Sequence, residues 1–466
     1  MKLSSLVGNR LFYKRLFKVM TPVLIQNVIT NFVSLLDNLM VGQVGTEAMS
    51  GVAIVNQLLF VFNLCIFGGL AGAGIFTAQY FGRGDQEGVR NTFRFKLFIG
   101  LAASVVFLLV FLFFGGSLIS LFLHEGEEAL DLARTLDEGK KYLFVMLFQI
   151  PPFALSQIYA STLRETGETM VPMKAGVAAV FVNLILNYIL IFGKLGMPVF
   201  GVTGAAIATV IARFAECAIV VLWTHRHPSK NPFIVGAYRS LHVPGKLVRQ
   251  IALLGTPLLV NEALWSAGMT MMNQCYSLRG LEVVSAQNIS STIMNLFLCA
   301  SFAMGSAVSI MIGQLLGAGE LDRAVEEDHQ LIAFSVVLCV VIGGVMALVS
   351  PLIPELYNTT PMVKTLAVRF LLIDALMLPF YAFTNTCYFT LRSGGKTVIT
   401  FIFDSAFVWV CNIPVAFCLS RFTTMSIVPM FFLVQSLELI KCLIGFIMVR
   451  SRRWVNNLVT GPEANE

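Results

Sequence analysis

Acidic side chains interrupt long apolar segments at several points of the sequence. The segment FVSLLDNLMVG, residues 32–42, places Asp37 in a run that is otherwise mostly apolar. A charged group at mid-bilayer costs about 2.5–3.5 kcal/mol on insertion scales, so such a residue usually has a functional role. Oxygen ligands around one carboxylate can hold a proton or a hard monovalent cation. We therefore interpret Asp37 as part of an ion site.

The segment that carries Asp37 predicts a helix with one polar face. At about 100° per residue, its polar side chains fall within an arc of about 140°. They are Gln26, Asn27, Thr30, Asn31, Ser34, Asp37 and Asn38. Because lipid cannot satisfy their hydrogen bonds, this face must contact water, protein or a solute.

Two later segments supply polar groups at a matching depth. Asn183 and Asn187 are four residues apart and therefore lie on one helical face. Counting about 1.5 Å per residue from the outer helix ends, Asp37 and Asn187 both lie roughly 8–9 Å deep. Thr209, on the next segment, adds a hydroxyl group. The spacing predicts that these four residues form one site for a proton or cation.

Further acids in the second half are accompanied by aromatic residues. Glu262 shares a helical face with Trp265, Asp374 shares one with Tyr381, and Asp404 is a third acid. Acidic and aromatic groups together suit an apolar organic cation, through charge pairing and cation–π contact. Each acid could instead be a structural partner of a neighbouring helix.

Two pairs of opposite charge predict structural ion pairs within single helices. Arg213 and Glu216 are three residues apart, as are Glu438 and Lys441. Residues at this spacing meet on the surface of a helix. We expect each pair to neutralise itself near the inner membrane face.

Metal and redox chemistry find no support in the sequence. The nine cysteines form no CxxC pair, and we interpret them as small packing residues. We place the five histidines in loops, without a HExxH motif or a His-rich cluster. The sequence therefore predicts no cofactor, no metal site and no enzymatic activity.

The composition requires an integral membrane protein. Of 466 residues, 57% are hydrophobic and 12% are charged, and the mean hydropathy is +0.80. A spanning helix needs about 20 apolar residues, and no alternating β-barrel pattern is present. The sequence predicts an all-α protein with twelve spans. They are roughly residues 16–42, 47–80, 88–115, 138–163, 171–193, 201–223, 250–276, 282–313, 324–349, 362–391, 397–419 and 425–449.

Basic residues predict the orientation in the membrane. Five of them precede residue 19, without the short apolar core of a cleaved signal peptide, and more lie in alternate loops. The positive-inside rule then places both termini in the cytoplasm, in a multi-pass protein of the inner cell membrane. This bias accounts for most of the net charge of +6, so it does not indicate nucleic-acid binding.

The chain contains a duplication. TPVLIQNVI at 21 recurs as TPLLVNEAL at 256, and AQYFGRGD at 78 recurs as GQLLGAGE at 313, both at an offset of 235 residues. TLRETGET at 162 recurs as TLRSGGKT at 390, at an offset of 228. We infer a six-helix lobe of residues 1–223, a cytosolic linker of 224–249 and a second lobe of 250–466. Six spans per lobe imply a pseudo-two-fold axis along the membrane normal and a cleft that opens alternately to either side.

At these motifs the sequence resembles the multidrug and toxic compound extrusion (MATE) family over nearly the whole chain. The motifs are LDNLMVGQVG (36–45), AQYFGRGD with its copy, GAAIAT (204–209), NEALW (261–265) and GKTV after the tenth span. The resemblance implies two six-helix lobes in a V, and antiport in which entry of H⁺ or Na⁺ drives export of cationic, lipophilic compounds. We expect organic cations and membrane lipids as partners, and a monomer.

The resemblance also implies roles for particular residues. It makes Asp37 the coupling residue, accompanied by Asn183, Asn187 and Thr209. The sequence departs from the family pattern at 187, where Asn replaces an Asp, so this lobe has one carboxylate fewer. Other branches use acids on spans seven and ten, similar to Glu262 and Asp374. The choice between H⁺ and Na⁺, and the lobe that holds the ion, stay open.

Two other classes of carrier have a comparable plan. A flippase for lipid-linked precursors has related architecture, but its anionic substrates favour basic groups in the cleft. A major-facilitator carrier also has six plus six spans, but the paired FGRGD and LGAGE loops match that class less well. The acidic groups within the spans favour the exporter.

Overall fold

The computed structural model describes residues 6–122, 132–357 and 359–460. In these ranges the chain is built from helices and their connections. The α-helices are α1 (Arg10–Gly42), α2 (Thr46–Arg83), α3 (Gln86–Ser120), α4 (Leu132–Met146), α5 (Ile150–Glu165), α6 (Met170–Phe192), α7 (Gly201–Arg226), α8 (Gly245–Ser277), α9 (Leu281–Ala318), α10 (Leu321–Val349), α11 (Pro361–Ser393), α12 (Thr397–Phe401), α13 (Ile413–Phe422), α14 (Ile427–Ser436) and α15 (Glu438–Arg450).

Twelve helical stretches of the described residues are long and apolar enough to cross a membrane. Nine of them are single helices, and three combine two. A 3₁₀ turn, Leu147–Gln149, joins α4 to α5. Two π-helical segments, Ile402–Ala406 and Val408–Asn412, lie between α12 and α13, and α14 continues into α15. The predicted all-α membrane class with twelve spans is confirmed.

The expectation that all five histidines lie in loops is wrong. His225 lies in the last turn of α7, and His329 lies in α10. In both cases a helix extends past the apolar run into a polar segment. Hydropathy locates the part of a helix that lipid surrounds, whereas backbone hydrogen bonding continues to the next terminating residue.

Helix ends follow from local sequence. The Thr360 hydroxyl accepts a hydrogen bond from Val363 N at 3.4 Å, and Pro361 begins α11 without a donor to satisfy. Gly193 ends α6 with φ +63°, a conformation that glycine adopts without strain. The duplicated helices α1 and α8 each contain one proline, Pro22 and Pro257, which removes a backbone donor inside the helix.

The chain divides into two compact units that differ from a simple division at the linker. Unit 1 comprises the described residues of Met1–Leu24, Ala78–Asp85 and Gln250–Glu466. Unit 2 comprises Ile25–Thr77 and the described residues of Gln86–Arg249. The chain therefore passes from one unit to the other within α1 and near both ends of the AQYFGRGD motif.

The core of unit 1 joins the start of the chain to its end. Leu16 of α1 belongs to one buried cluster with Met304 of α9, Leu391 of α11 and Trp454, which follows α15. Trp454 is almost completely buried, and its indole nitrogen donates to Val449 O at 3.1 Å.

The two copies of the glycine motif pack against each other inside unit 1. Gly82 of α2 lies against the backbone of Gln314 on α9, and Gly317 of α9 lies against the backbone of Gln79 on α2. A Cβ atom at either glycine would overlap the facing carbonyl group. The duplicated glycines therefore permit a close helix crossing.

The segment after α15 attaches to this crossing. Leu458 N donates to Gln79 Oε1 at 2.7 Å, and Gln79 Nε2 donates to Ser393 O at 3.0 Å. Asn457 Nδ2 donates to Gly317 O at 3.3 Å. Side-chain amides thus hold the ends of three helices and the C-terminal segment together.

In unit 2, α6 and α7 pack against each other along their length, and α3 packs on α5. The segment between α7 and α8 also packs on α3. Arg94 of α3 donates to Ala237 O at 2.8 Å and to Gly236 O at 3.0 Å, and Phe233 of the segment is buried, with its ring centre 5.4 Å from that of Phe93.

Candidate functional site

Asp37 lies beside the two asparagines of α6, as its predicted depth requires. Asn187 Nδ2 donates to Asp37 Oδ1 at 2.8 Å and contacts Asn183 Oδ1 at 3.1 Å. Asn183 and the Thr209 hydroxyl of α7 are 3.1 Å apart. Asn187 is almost completely buried, whereas Asp37 is partly exposed. The structure brings together all four predicted residues, while the side chain of Asn38 lies outside the described part.

The Asn183 amide satisfies its neighbours when its nitrogen is directed to Asp37. The nitrogen then lies 2.9 Å from Asp37 Oδ2 and 3.0 Å from Oδ1, and the amide oxygen accepts from the Thr209 hydroxyl at 3.1 Å. A carboxylate accepts hydrogen bonds only, so this orientation suits charged Asp37.

Asp37 lines a polar cavity of about 390 Å³ inside unit 2. The polar face of α1 forms one wall, from Gln26 to Asp37, and α6 and α7 form another. This stretch of α1 is about 16 Å long at 1.5 Å per residue. The predicted polar stripe therefore faces a cavity that has room for water or a small solute.

Basic residues line the same cavity as Asp37. Arg213 donates to Glu216 at 2.8 Å, which confirms the ion pair predicted within α7. The Arg213 guanidinium also lies 5.2 Å from the centre of the Phe153 ring. Arg164 of α5 is a second cavity-lining cation, and its Nε donates to Ala160 O at 3.2 Å. Sequence reasoning did not identify Arg164 as a site residue.

Unit 1 contains a cavity of about 200 Å³ that includes four of the other predicted residues. Glu262 and Trp265 of α8 line it, together with Tyr381 of α11 and Asp404 of a π-helical segment. Arg392 also lines it, and its guanidinium lies 5.5 Å from the centre of the Phe389 ring. Lys441 lines it as well, so the arrangement combines two carboxylates, aromatic rings and two cationic groups.

The predicted ion pair between Glu438 and Lys441 is wrong. Lys441 Nζ pairs with Asp404 Oδ1 at 2.9 Å, whereas Glu438 accepts a hydrogen bond from the Thr384 hydroxyl. Both residues lie in α15, so their i, i+3 spacing is kept. The physical reason is competition from neighbouring spans, because Thr384 of α11 engages Glu438 and Asp404 engages Lys441.

Asp404 receives a second contact that the sequence did not suggest. Asn261, which is almost completely buried, donates to Asp404 Oδ2 at 3.1 Å, and its Oδ1 accepts from Ser405 N at 3.3 Å. A π-helix frees backbone donors from the usual i to i−4 ladder. The amide adjacent to Glu262 in NEALW therefore positions Asp404.

Asp374 does not line this cavity. It is buried in unit 1, where Ser290 Oγ donates to Oδ2 at 2.8 Å and Gln435 Nε2 donates to Oδ1 at 2.9 Å. Asp374 and Tyr381 share a face of α11, but seven residues separate them by about 10 Å. The structure thus places Asp374 apart from the other four second-half residues.

The two cavities occupy equivalent positions in the duplicated plan. At the offsets of 235 and 228 residues, eight residues that line the cavity of unit 2 correspond to residues that line the cavity of unit 1. The pairs are Asn27/Glu262, Thr30/Trp265, Phe67/Phe302, Phe153/Tyr381, Gln157/Asn385, Arg164/Arg392, Gly176/Asp404 and Arg213/Lys441. The duplicated sequence already contained this signal.

Comparison with known families shows to which family the chain belongs. The family model MatE matches residues 22–189 and again residues 257–418. The two matched blocks begin 235 residues apart, which is the offset of the internal repeat. The chain belongs to the MatE family. Members of this family are membrane transporters and not enzymes, so the chain is a multi-pass MatE transporter.

Curated relatives resemble the chain over most of its length. The probable multidrug resistance protein NorM of Thermotoga maritima is 26% identical over 412 residues, which cover 88% of this chain and 86% of the relative. The multidrug resistance protein NorM of Aliivibrio fischeri is 27% identical over 414 residues, covering 87% and 86%. The probable multidrug resistance protein YoeA of Bacillus subtilis is 25% identical over 418 residues, covering 88% and 87%.

Solved structures share the fold of this MatE chain. An outward-facing multidrug resistance MATE family transporter of the MOP superfamily superposes with a TM-score of 0.85 at 19% identity, covering 97% of both chains. A MOP superfamily transporter from Pyrococcus furiosus, described as having a binding pocket of reverse polarity, gives 0.84 at 18% identity, covering 96% and 97%.

Proposed function

We propose that the chain is a secondary antiporter that exports cationic, lipophilic compounds in exchange for H⁺ or Na⁺ by alternating access. The multidrug resistance names of its relatives support the export of toxic compounds. We place it in the cell membrane with both termini in the cytoplasm, because the basic residues concentrate there. We expect a monomer, and the coupling ion binds at Asp37 together with Asn183, Asn187 and Thr209.

The observation that carries this proposal is the position of Asp37 in the polar cavity of unit 2. Its carboxylate lies 2.8 Å from the Asn187 amide donor, and it is reached from the cavity. Binding of a proton or Na⁺ neutralises the negative charge of Asp37. An ion can drive a conformational cycle only if it binds the two states of the transporter with different affinity.

The Asn183 amide joins Asp37 to Thr209 of α7. A change of charge at Asp37 alters which hydrogen bonds this carboxyl group accepts or donates, so ion binding on α1 affects the contacts with α6 and α7. Position 187 is Asn, so the site has a single carboxylate, which suits a proton better than a Na⁺ site built from several carboxylates.

The cavity of unit 1 is a candidate site for the exported compound. Lys441 pairs with Asp404, and Glu262, which shares the cavity with Arg392, provides a carboxylate for an organic cation. Trp265 and Tyr381 add aromatic surface for cation–π contact.

Asp37→Asn tests the coupling site. Purified protein is reconstituted into proteoliposomes, and uptake of a cationic dye is measured while the H⁺ gradient and the Na⁺ gradient are imposed and collapsed separately. We expect the parent protein to respond to the H⁺ gradient and Asp37→Asn to lose gradient-driven uptake, because an amide cannot exchange a proton near neutral pH.

Asp322→Asn is the control, since it removes an exposed carboxylate from the first turn of α10. Full gradient-driven transport by monodisperse Asp37→Asn protein would refute the role of Asp37. Dependence on the Na⁺ gradient alone would assign Na⁺ as the coupling ion in place of H⁺.

A flippase for lipid-linked precursors is the second candidate, and the cavity-lining arginines favour it. Arg164 and Arg392 occupy equivalent positions in the two units. Guanidinium groups suit an anionic phosphate headgroup. The same proteoliposomes distinguish the two functions, because a flippase moves a fluorescent anionic lipid between leaflets without an ion gradient and does not accumulate the dye.

A further inference from the structure

A long furrow runs along the surface of unit 1 between α10 and α15, with α11 at its base. It consists of two adjoining hollows of about 1080 and 840 Å³ that share Val336, Phe383 and Phe446. Along α10 the furrow extends from His329 to Ala347, which is about 27 Å at 1.5 Å per residue. It is therefore long enough for an extended acyl chain in one leaflet of about 15 Å.

The two ends of the furrow differ in chemistry. The end near Ala347 is lined by aliphatic side chains and by Gly344, where a Cβ atom would meet open space within the described residues. The other end carries Arg450, Arg452 and His329. The basic groups are thus confined to one end of an otherwise apolar surface.

The two arginines are available for a ligand. Within the described residues, no hydrogen bond or carboxylate partner engages the guanidinium of Arg450 or of Arg452, and both residues are exposed. Arg452 lies two residues after Arg450, the last residue of α15, and has φ +52°, in the left-handed region. The chain turns at this residue, and both arginines line the same end of the furrow.

The equivalent place in unit 2 is covered by the protein itself. At the 235-residue offset, His329 corresponds to Arg94 of α3. Backbone carbonyl groups of Gly236 and Ala237 accept hydrogen bonds from Arg94. In unit 1 the described segment after α15 instead leads to Gln79, and within the described residues it forms no hydrogen bond with the guanidinium of Arg450 or Arg452.

We propose that this furrow binds an anionic phospholipid, with the phosphate of its headgroup at Arg450 and Arg452 and an acyl chain along α10. Free phosphate would use only the basic end, whereas the furrow continues as an apolar surface for the length of a lipid chain. Each Arg or Lys in a basic cluster at the membrane surface increases the affinity for anionic lipids roughly fivefold. This site is independent of the antiport proposed above.

Native mass spectrometry of the full chain tests the site, with equimolar phosphatidylglycerol and phosphatidylcholine in mixed micelles. We expect the parent protein to retain phosphatidylglycerol preferentially. In the double variant Arg450→Gln/Arg452→Gln the preference should fall by about tenfold or more, since two cationic contacts are lost. Replacement by lysine at both positions should restore most of it, because the charge returns.

Two further variants distinguish specific lipid binding in the furrow from a general attraction of anionic lipids to basic surface residues. Lys246→Gln/Arg249→Gln removes two exposed basic residues from the start of α8, outside the furrow, and should leave the preference intact. Ala333→Phe fills the furrow near its basic end and should reduce retention of both lipids. The proposal fails if the parent shows no preference, or if the α8 variant lowers it as much as the furrow variant.

Discussion

Asp37 is a single carboxylate, and its partner on α6 is the amide of Asn187. A second carboxylate at position 187 would change the chemistry of the site. Asn187 contributes a hydrogen-bond donor at 2.8 Å and no charge. Two carboxylates this close would share one proton or hold a cation between them. Because residue 187 is Asn, the negative charge of the site comes from Asp37 alone. The asparagines on α6 stabilise this charge.

Asn187→Leu should therefore slow gradient-driven dye uptake by about tenfold or more, because a hydrogen bond to a charged group contributes roughly 1.5–3 kcal/mol. The initial uptake rate in proteoliposomes measures it. Asn288→Leu on α9 is the matched control, since its side chain is exposed. Equal rates for parent and Asn187→Leu would mean that the contact is not used in coupling.

Lys441 should stabilise unit 1 mainly through Asp404. Removing one partner of a buried ion pair typically costs about 3–5 kcal/mol, since it leaves a buried charge without a partner. We expect Lys441→Met to lower the thermal unfolding midpoint. The double variant Lys441→Met/Asp404→Asn should recover part of the loss, and a double variant less stable than Lys441→Met would contradict this assignment.

The sequence identified this lysine but assigned it the wrong partner. An i, i+3 spacing describes only contacts within one helix, whereas Asp404 is 37 residues away on another span. The same limit applies to Asn261, whose role depends on a π-helical segment that no periodicity indicated. Asp37, Asn183, Asn187 and Thr209 could be grouped because depth and face are properties of single helices.

At the scale of elements, the duplicated glycines determine how closely α2 and α9 approach. Gly317→Ala should destabilise the protein by about 1–3 kcal/mol, the usual effect of overpacking. Its Cβ would meet the Gln79 carbonyl, which belongs to a helix backbone and cannot move alone. Thermal unfolding in detergent, followed by tryptophan fluorescence, measures the change.

Gly344→Ala is the matched control in α10, because its Cβ meets open space within the described residues. Alanine in a helix interior is favoured over glycine by roughly 0.5–1 kcal/mol, so this variant should be neutral or slightly more stable. An equal loss for both variants would show that helix propensity, and not the crossing, accounts for the effect.

The helices could be predicted because an apolar run of about 20 residues can adopt few other structures in a membrane. The breaks inside spans four, eleven and twelve could not be predicted, since they leave the hydropathy of the sequence unchanged. The equivalence of the two cavities could have been read from the offsets. Arg164 and Arg392, for example, stand at the same place in TLRETGET and TLRSGGKT.

At the scale of the whole molecule, the C-terminal segment is part of the packed structure of unit 1. Trp454 belongs to the core cluster that also contains Leu16 and Met304. Trp454→Ala should cost about 3–5 kcal/mol, as large-to-small substitutions in cores do. Calorimetry of the purified protein measures it. Arg453→Ala, an exposed neighbour, should have no comparable effect, and equal effects would contradict the role of Trp454.

This core has a consequence for biosynthesis. Leu16 leaves the ribosome long before its partners on α9 and α11 and Trp454, which are made hundreds of residues later. The spans of the first half can insert early, but the amino-terminal part of α1 lacks these packing partners until the second half is made. Unit 1 is therefore completed only after Trp454 has been synthesised, so the translocon and lipid must accommodate partly folded spans until then.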